Sequence, residues 1–258
     1  MTGARLLRGA AGAAGFLLAG ELVIRFWLSG DLVVPAPSTV LYEAAGLLAD
    51  ADFLAGAGAT LTNWVLGLLI AIAIAVPLGV LLGAIAPVER AIRPVLEFMR
   101  PIPSVAIIPL AILLIPVDEL MKVSVIVYAS IWPILINTVY GLEDVDPLAK
   151  ESLRSFGFGS LAVLTRVSLP SAAPFVATGV RIAAGIALVL AVSAELLAGG
   201  VAGIGVYVNV AANGNRTDLV MAATFWAGVL GLAANLLLTA GERHLFRWHH
   251  MRTGEAKS

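Results

Sequence analysis

The sequence contains no cysteine, and its three histidines lie at positions 244, 249 and 250, close to the C-terminus. The lack of cysteine excludes disulfides, thiolate nucleophiles and cysteine metal sites. The position of the histidines leaves none in the apolar part of the chain for proton transfer or metal binding. The chain also lacks a Gly-Lys-Ser/Thr phosphate loop, a His-Glu-x-x-His motif and a Gly-x-Ser-x-Gly motif. We therefore expect no catalytic residue, no metal site and no cofactor bound by this chain.

Charged residues are scarce: they make up 13% of the 258 residues, whereas 60% are hydrophobic and the net charge is −1. Soluble domains are about half apolar and about one quarter charged. The hydrophobic excess is too large for a soluble core and requires the apolar interior of a bilayer. A net charge near zero gives no reason to expect nucleic-acid binding. The composition therefore predicts an integral membrane protein.

Six apolar segments are candidates for membrane spans, since about 20 helical residues cross about 30 Å of hydrocarbon. They cover residues 6–28, 59–86, 102–117, 123–142, 174–198 and 219–241, and the third is the shortest. Helices satisfy every backbone polar group inside a bilayer, and the segments lack the two-residue alternation of an outer-membrane barrel. The sequence predicts an all-α integral membrane protein with about six transmembrane helices.

The first segment allows two interpretations. Arg5 and Arg8, followed by a run of Ala, Gly and Leu, are typical of a cleaved signal peptide. Glu21 and Arg25 interrupt the apolar run, and at four residues apart they can pair on one face of a retained helix. We favour the retained helix, so that residues 1–58 form a first helix and an outer linker.

Basic residues indicate the orientation in the membrane. When loops are counted alternately from a cytoplasmic N-terminus, most Lys and Arg residues fall on the inner side. Lys122 and Arg216 fall outside, and the outer stretch 29–58 contains four acidic residues and no base. The bias predicts a multi-pass protein of the bacterial inner membrane with both termini in the cytoplasm, including a tail at 242–258.

The stretch 142–173 is polar enough to leave the membrane, yet it contains helix boundary signals. Asp146 is a suitable N-cap and Pro147 suits the first helical position, so we expect a short helix that runs to about Phe156. Gly157 can adopt the left-handed conformation that ends such a helix.

A second short helix is expected to start with Ser160 as its cap and to stop at Leu169-Pro170, after which Ser171 caps the fifth span. The loop is thus predicted to be a compact helix-turn-helix that projects into the cytoplasm. Phe156 and Phe158 flank the glycine turn and are expected to be exposed. Exposed apolar side chains indicate a protein partner, and the alternative is a loop packed on its own protein.

Glu151, Gly157 and Leu169-Pro170 follow a spacing that resembles the EAA loop of binding-protein-dependent ABC importer permeases. That pattern is Glu-Ala-Ala, a glycine six residues after the glutamate, and Leu-Pro about a dozen residues further on. Ser152 and Leu153 replace the two alanines here, while the spacing is kept.

The resemblance extends over nearly the whole chain and is closest to permeases for aliphatic sulfonates, taurine, nitrate and bicarbonate. The matching stretches are Val34-Pro35-Ala36-Pro37-Ser38, Arg100-Pro101-Ile102-Pro103, Ile108-Pro109-Leu110, Trp132-Pro133, Ile136-Asn137-Thr138, Gly141, Gly179-Val180-Arg181, Ala194-Glu195 and Gly203-Ile204-Gly205. Residues 114–118 depart from the pattern, because they lack its usual aromatic-glycine step.

The resemblance implies a single transmembrane permease domain over residues 1–258, with a core transport bundle at 59–241 and a cytoplasmic coupling loop at 142–173. It implies that this loop docks on an ATPase subunit through Glu151, Ser152, Leu153, Ser155, Phe156, Gly157, Phe158, Leu169 and Pro170. The implied partners are two ABC ATPase subunits that bind ATP and Mg²⁺, an identical or related second permease subunit, and an extracytoplasmic solute-binding protein. Alternating access driven by the ATPases would then move a small, anionic solute.

Polar residues and prolines inside the predicted spans are candidates for a translocation pathway or gate: Glu195, Ser193, Asn137 and Pro109. Glu195 lies near the outer end of the fifth segment, where it is either part of the gate or an interfacial carboxylate reached by water. Asn137 can instead bond across helices. An autonomous channel or secondary transporter remains the alternative function, since it needs no ATPase.

Small residues repeat at every fourth position of the fifth segment: Gly179, Ala183, Ala187 and Ala191. This spacing predicts close contact between helix backbones. Pro77 and Pro109 are expected to kink their helices or to mark a break that lines a cavity.

Overall fold

The structure, a computed structural model, describes residues 2–27, 34–99 and 102–245. Within these ranges the chain is helical and has no strand, which confirms the all-α prediction. The helices of the described ranges are α1 (Thr2–Trp27), α2 (Pro37–Leu47), α3 (Ala51–Ala84), α4 (Ala86–Met99), α5 (Ile108–Leu114), α6 (Asp118–Glu143), α7 (Pro147–Ser155), α8 (Ser160–Val163), α9 (Leu169–Ala198), α10 (Ile204–Asn213) and α11 (Thr217–Leu245). The predicted end of the first segment at residue 28, the stretch Arg100-Pro101 and the tail from residue 246 lie outside the described residues.

Helices α3, α6 and α9 form the centre of the bundle, and small residues let them approach closely. A Cβ added to Gly79 of α3 would lie 2.6 Å from Cβ of Thr138, and one added to Gly179 of α9 would lie 2.9 Å from Cβ of Asn137. The small-residue stripe of α9 is buried in this packing, as predicted: Gly179, Ala183, Ala187 and Ala191.

Alanine at position 179 is expected to destabilise the bundle. The new methyl group would meet Cβ of Asn137 and the carbonyl oxygen of Pro133, both at 2.9 Å, and overpacking of this kind costs about 1–3 kcal/mol. Gly185 of the same helix is the matched control, because a Cβ there meets nothing within 4 Å. Thermal unfolding of the purified protein should therefore shift down for Gly179→Ala and stay unchanged or rise for Gly185→Ala. Equal melting temperatures for the two variants would contradict the close packing.

The third predicted segment is not one spanning helix. Residues 104–114 contain a 3₁₀ turn (Ser104–Ile107) followed by α5, which has only seven residues. The helical stretches Arg90–Met99 and Ser104–Leu114 are bent by 80° relative to each other. Pro109 occupies the first turn of α5, where a missing N–H costs nothing, so it starts a helix and does not kink one. Pro77, in contrast, lies inside α3, which continues to Ala84.

Five helical runs of the described residues are long and apolar enough to cross a membrane, or six if the bent pair counts as one span. A sixth crossing would place both termini on the same side.

We expect a reporter that is active only in the periplasm to be silent when fused after Ser258, because basic residues place that end in the cytoplasm. The matched control is the same reporter inserted after Gly214, in the predicted outer loop, where it should be active. An active C-terminal fusion would favour five crossings.

Helix α1 buries none of the described residues of its span, and the C-terminal half of the helix contacts α2. Arg25 Nε donates to Glu21 Oε1 at 2.6 Å, which confirms the predicted pair. The Glu21 carboxylate also accepts from the backbone N–H of Ser38 at 2.9 Å and from the Ser38 hydroxyl at 2.7 Å. These bonds hold the start of α2 against α1.

The predicted stop at Leu169-Pro170 is wrong, because the helical run is continuous from Ser160 to Ala198. A π turn (Leu164–Ser168) precedes Pro170. Such a wide turn accommodates a proline that lacks an N–H and would otherwise press against the preceding helical turn. Ser160 is the first residue of α8 and makes no capping bond, and the helix passes through Ser171 without interruption, so neither serine caps a helix.

Candidate functional site

The loop between α6 and α9, which the sequence predicts to be cytoplasmic, presents a short helix followed by a glycine turn. The side chain of Asp146 accepts from the backbone N–H of Leu148 at 2.9 Å, and Pro147 is the first residue of α7, as predicted. Gly157 has φ +81°, which confirms the left-handed turn after α7. The backbone N–H groups of Gly157 and Phe158 donate to carbonyl oxygens of the last turn of α7 and so close it.

Apolar side chains are exposed on both sides of this turn. Phe156 is 79% exposed and Phe158 is 39% exposed, as predicted. Leu148 and Leu161 are exposed to a similar degree as Phe156. We call these four residues the apolar knob. The Arg166 guanidinium lies 4.9 Å from the centre of the Phe158 ring and fixes one edge of the knob by a cation–π contact.

The other residues of the expected docking loop surround the knob. Glu151, Ser152 and Ser155 are exposed on α7, and the Ser155 hydroxyl donates to the Glu151 carbonyl oxygen at 3.1 Å. Leu153 is half-buried. Leu169 and Pro170 lie in the continuous helix, one half-buried and one exposed, and not in a turn.

Glu195 lies at the opposite end of α9, and its side chain is fully buried. Its carboxylate accepts from the Thr60 hydroxyl of α3 at 2.9 Å and from the backbone N–H of Gly205 at 3.0 Å. The Thr60 hydroxyl in turn accepts from the backbone N–H of Ile204 at 2.9 Å. The interpretation of Glu195 as a carboxylate reached by water is wrong for this structure, because none of its surface is exposed. Its role in a gate stays a prediction.

A second buried ionisable side chain lies under the same chain segment as Glu195. The side chain of Lys122 in α6 is almost completely buried, and its ammonium donates to Asp118 at 2.7 Å. The chain crosses over both charged groups in an extended turn, in which Gly200 and Gly203 have φ +119° and +154°. A Cβ at Gly200 would collide with Lys122 and Asp118, and a Cβ at Gly203 would collide with Glu195. Glycine is therefore required at both positions. We call Thr60, Lys122, Glu195 and the turn 199–205 the outer latch.

A second set of contacts holds helix α10 against the start of α3. The Tyr207 hydroxyl donates to Asp50 Oδ2 at 3.1 Å, and the rings of Phe53 and Tyr207 pack edge to face at 5.4 Å. Burial and the neighbouring carboxylate raise the pKa of Tyr207 to about 12, so the hydroxyl remains a donor at neutral pH. The N–H of Phe53, with smaller contributions from Tyr207 and Asp52, lowers the pKa of Asp50. This contact therefore persists across the physiological pH range.

The structure does not bring the four predicted pathway residues together. Ser193 is half-buried near Glu195, whereas Asn137 lies toward the other end of the bundle and Pro109 is exposed at the start of α5. Asn137 Nδ2 donates to the carbonyl oxygen of Pro133 in its own helix at 2.7 Å, and not across helices as expected.

Sequence reasoning missed Thr60 and Lys122 as partners in the outer latch. One signal was present, because Lys122 is a lone base at the start of an apolar segment and such groups are usually paired when buried. A second was the run of four glycines within residues 199–205, directly after Glu195. Thr60 carries no local signal, since threonine also occurs in spans without a partner.

Residues 75–248 match the family model described as "Binding-protein-dependent transport system inner membrane component". The match covers the last ten residues of α3, the loop with the apolar knob, α9 and all of the outer latch except Thr60. The chain belongs to this family. It is therefore a multi-pass inner-membrane permease subunit of an ABC importer.

Curated relatives of the permease carry solute names. The nitrate import permease of Leptolyngbya laminosa is 30% identical over 81% of this chain and 78% of its own length. The taurine transport system permease of Escherichia coli K12 is 29% identical over 86% of this chain and 82% of its own length. These matches confirm the resemblance to the nitrate and taurine group of permeases.

A solved structure shares the fold of the permease. It is a chain of a bacterial alginate ABC transporter in complex with a periplasmic protein that holds an alginate pentasaccharide. The TM-score is 0.65, with 93% of this chain and 97% of that chain covered, and the identity is 16%. The likeness confirms the overall fold of the bundle.

Proposed function

We propose that the permease forms, together with a second permease subunit, the pathway by which a small anionic solute enters the cell. ATP and Mg²⁺ bind to two separate ATPase subunits, and a solute-binding protein delivers the solute to the outer face. The relatives named for nitrate and taurine support a solute that carries an oxyanion group. The second permease subunit is the same chain or a related one.

The observation that carries the proposal is the apolar knob. Leu148, Phe156 and Leu161 are each more than 70% exposed, and together with Phe158 they surround a glycine turn on the predicted cytoplasmic side. An exposed apolar patch of this kind in a soluble environment is stabilised by a partner protein. In an ABC importer the partner on that side is the ATPase, so α7 serves as the coupling helix.

The continuous helix provides a mechanical link between the knob and the outer latch. From Ser160 to Glu195 the run is helical, and at 1.5 Å per residue it extends about 50 Å, more than the thickness of the hydrocarbon. Motion of the knob, when the ATPases close on ATP, is therefore delivered through one helix to the outer end. At that end the outer latch joins α9 to α3 and to the turn before α10. Movement of α9 is thereby passed to these elements, and the two faces of the permease open alternately.

Reconstituted uptake tests the proposal. The permease is co-purified with the ATPase encoded beside it and placed in vesicles, with the neighbouring binding protein outside and ATP inside. Uptake of labelled nitrate, bicarbonate, taurine and an alkanesulfonate is compared with uptake of a neutral sugar. We expect one of the anions to be taken up only when ATP and binding protein are both present. Uptake without ATP would indicate an autonomous channel or secondary transporter, and uptake of the sugar alone would contradict the anionic solute.

A further inference from the structure

A groove lies between the inner end of α3 and the loop that carries α7 and α8. Its volume is about 840 Å³, which is within the usual range for sites that hold a small molecule or part of a lipid. Val76, Pro77 and Val80 of α3 form one wall, and Leu161 and Leu164 form the other. This part of the groove is apolar.

The remaining part of the groove is cationic. Lys150 and Arg154 line it from α7, and because they are four residues apart they lie on the same face of that helix. Lys150 Nζ donates to the carbonyl oxygen of Leu142 at 3.2 Å, which holds the ammonium group at the groove. In the part of the chain that the structure describes, no acidic side chain lines the groove. Two positive charges therefore face the cavity without a carboxylate among them.

The position of the groove matches the boundary between lipid tails and headgroups. Helix α3 is an apolar span that ends at Ala84, and the groove includes its last two turns. The basic residues of the chain place this end on the cytoplasmic side. Basic pockets between transmembrane helices on that side bind anionic lipid headgroups. A free anion would use only the two positive charges, and a neutral lipid would use only the apolar wall. The groove has both features, which suits a ligand with an anionic group and an apolar chain.

We propose that the groove binds an anionic glycerophospholipid from the inner leaflet. The phosphate of the lipid contacts Lys150 and Arg154, and an acyl chain lies along the wall formed by Val76, Pro77 and Val80. The groove shares Leu161 with the apolar knob, whereas Leu148 lies on another face of α7 and Phe156 lies beyond the end of that helix. The lipid therefore fastens the base of α7 to the membrane while Leu148, Phe156 and Phe158 of the knob remain accessible to a protein.

Native mass spectrometry of the purified permease–ATPase complex tests this proposal. The complex is transferred from vesicles that contain equal amounts of phosphatidylglycerol and phosphatidylethanolamine, and the lipid retained at the tightest site is identified. We expect phosphatidylglycerol in the wild type. Lys150→Gln and Arg154→Gln should each weaken its retention about fivefold, and the double variant about 25-fold, since each basic group contributes separately to anionic lipid binding. Arg243→Gln, an exposed basic residue at the inner end of α11, is the matched control and should change nothing.

Two further variants separate the lipid from other occupants. Val80→Trp fills the apolar wall and leaves both charges in place, so loss of the lipid in this variant supports an acyl chain in the groove. Glycerophosphoglycerol, which is the headgroup without acyl chains, should fail to displace the lipid. The proposal would be overturned if the double variant still retained phosphatidylglycerol, or if the wild type retained phosphatidylethanolamine equally well. It would also be overturned if glycerophosphoglycerol displaced the lipid. So would loss of the ATPase from the double variant with lipid retained, because the basic face would then belong to the ATPase interface.

Discussion

Valine at position 157 should leave the permease inserted in the membrane but separate it from its ATPase. Gly157 has φ +81°, and a residue with a Cβ costs about 1–2 kcal/mol in this region, with β-branched valine among the least tolerated. A Cβ at this position meets nothing within 4 Å, so the effect comes from the backbone alone. The turn must change its conformation, and Phe156 and Phe158 then leave the geometry of the apolar knob.

The measurement is co-purification of the ATPase with the permease, followed by ATP-driven uptake in vesicles. We expect retention of the ATPase and uptake to fall at least tenfold in Gly157→Val. Gly157→Asn should retain more activity, because asparagine adopts the left-handed conformation more readily. The spans do not depend on this turn, so the amount of inserted protein should be unchanged.

Gly159 provides a matched control two residues further on. It has φ −72°, which any residue adopts, and a Cβ there also meets nothing within 4 Å. Gly159→Val should therefore behave like the wild type. Normal ATPase binding and uptake in Gly157→Val would sink the assignment of this loop as the coupling element. Equal loss in both variants would show that the surface is intolerant of bulk and that the turn geometry is not decisive.

Alanine at position 195 should release the outer latch and abolish uptake. The substitution removes the acceptor of the Thr60 hydroxyl and of the Gly205 N–H, and it leaves a void in a fully buried position. Breaking one member of such a buried polar network costs about 3 kcal/mol or more.

Thermal unfolding and uptake should separate the stabilising role of Glu195 from a role in transport. We expect Glu195→Ala to unfold at a clearly lower temperature than the wild type, and Glu195→Gln, which keeps the volume and one acceptor, to lie between them. Glu195→Gln should still assemble with the ATPase but transport more slowly, because the turn 199–205 is held less firmly. Glu119→Ala is the control, because Glu119 is an exposed acid at the start of α6, close in sequence to Lys122 of the latch. An unchanged melting temperature and unchanged uptake in Glu195→Ala would refute the latch.

The Thr60 hydroxyl offers an independent check of the same network. It donates to Glu195 and accepts from Ile204, so Thr60→Val removes two bonds without changing a charge. If the latch acts as a unit, the loss of unfolding free energy in the double variant Thr60→Val, Glu195→Ala should differ strongly from the sum of the losses in the two single variants. Simple additivity would indicate two separate contacts.

The sequence by itself determined the features that depend on local chemistry. Composition required a membrane, the apolar segments located five long helices that can span it, and Asp146, Pro147 and Gly157 defined the coupling-type helix and its turn. These predictions hold because a cap, a first-turn proline and a left-handed glycine act within a few residues of the chain. The Glu21–Arg25 pair held for the same reason, since four residues of helix bring the two side chains together.

Only the tertiary structure decided how distant parts of the chain meet. The partners of Glu195 come from α3 and from the turn before α10, and no local pattern connects Thr60 with a residue 135 positions later. Packing also decided that the helix passes through Leu169-Pro170, because a π turn gives the proline room that an ordinary turn does not. Packing also decided the bend before α5, because the prolines of that stretch are compatible with either a kinked span or a break. Local sequence limits the conformations of a segment, and the close contacts of α3, α6 and α9 select among them.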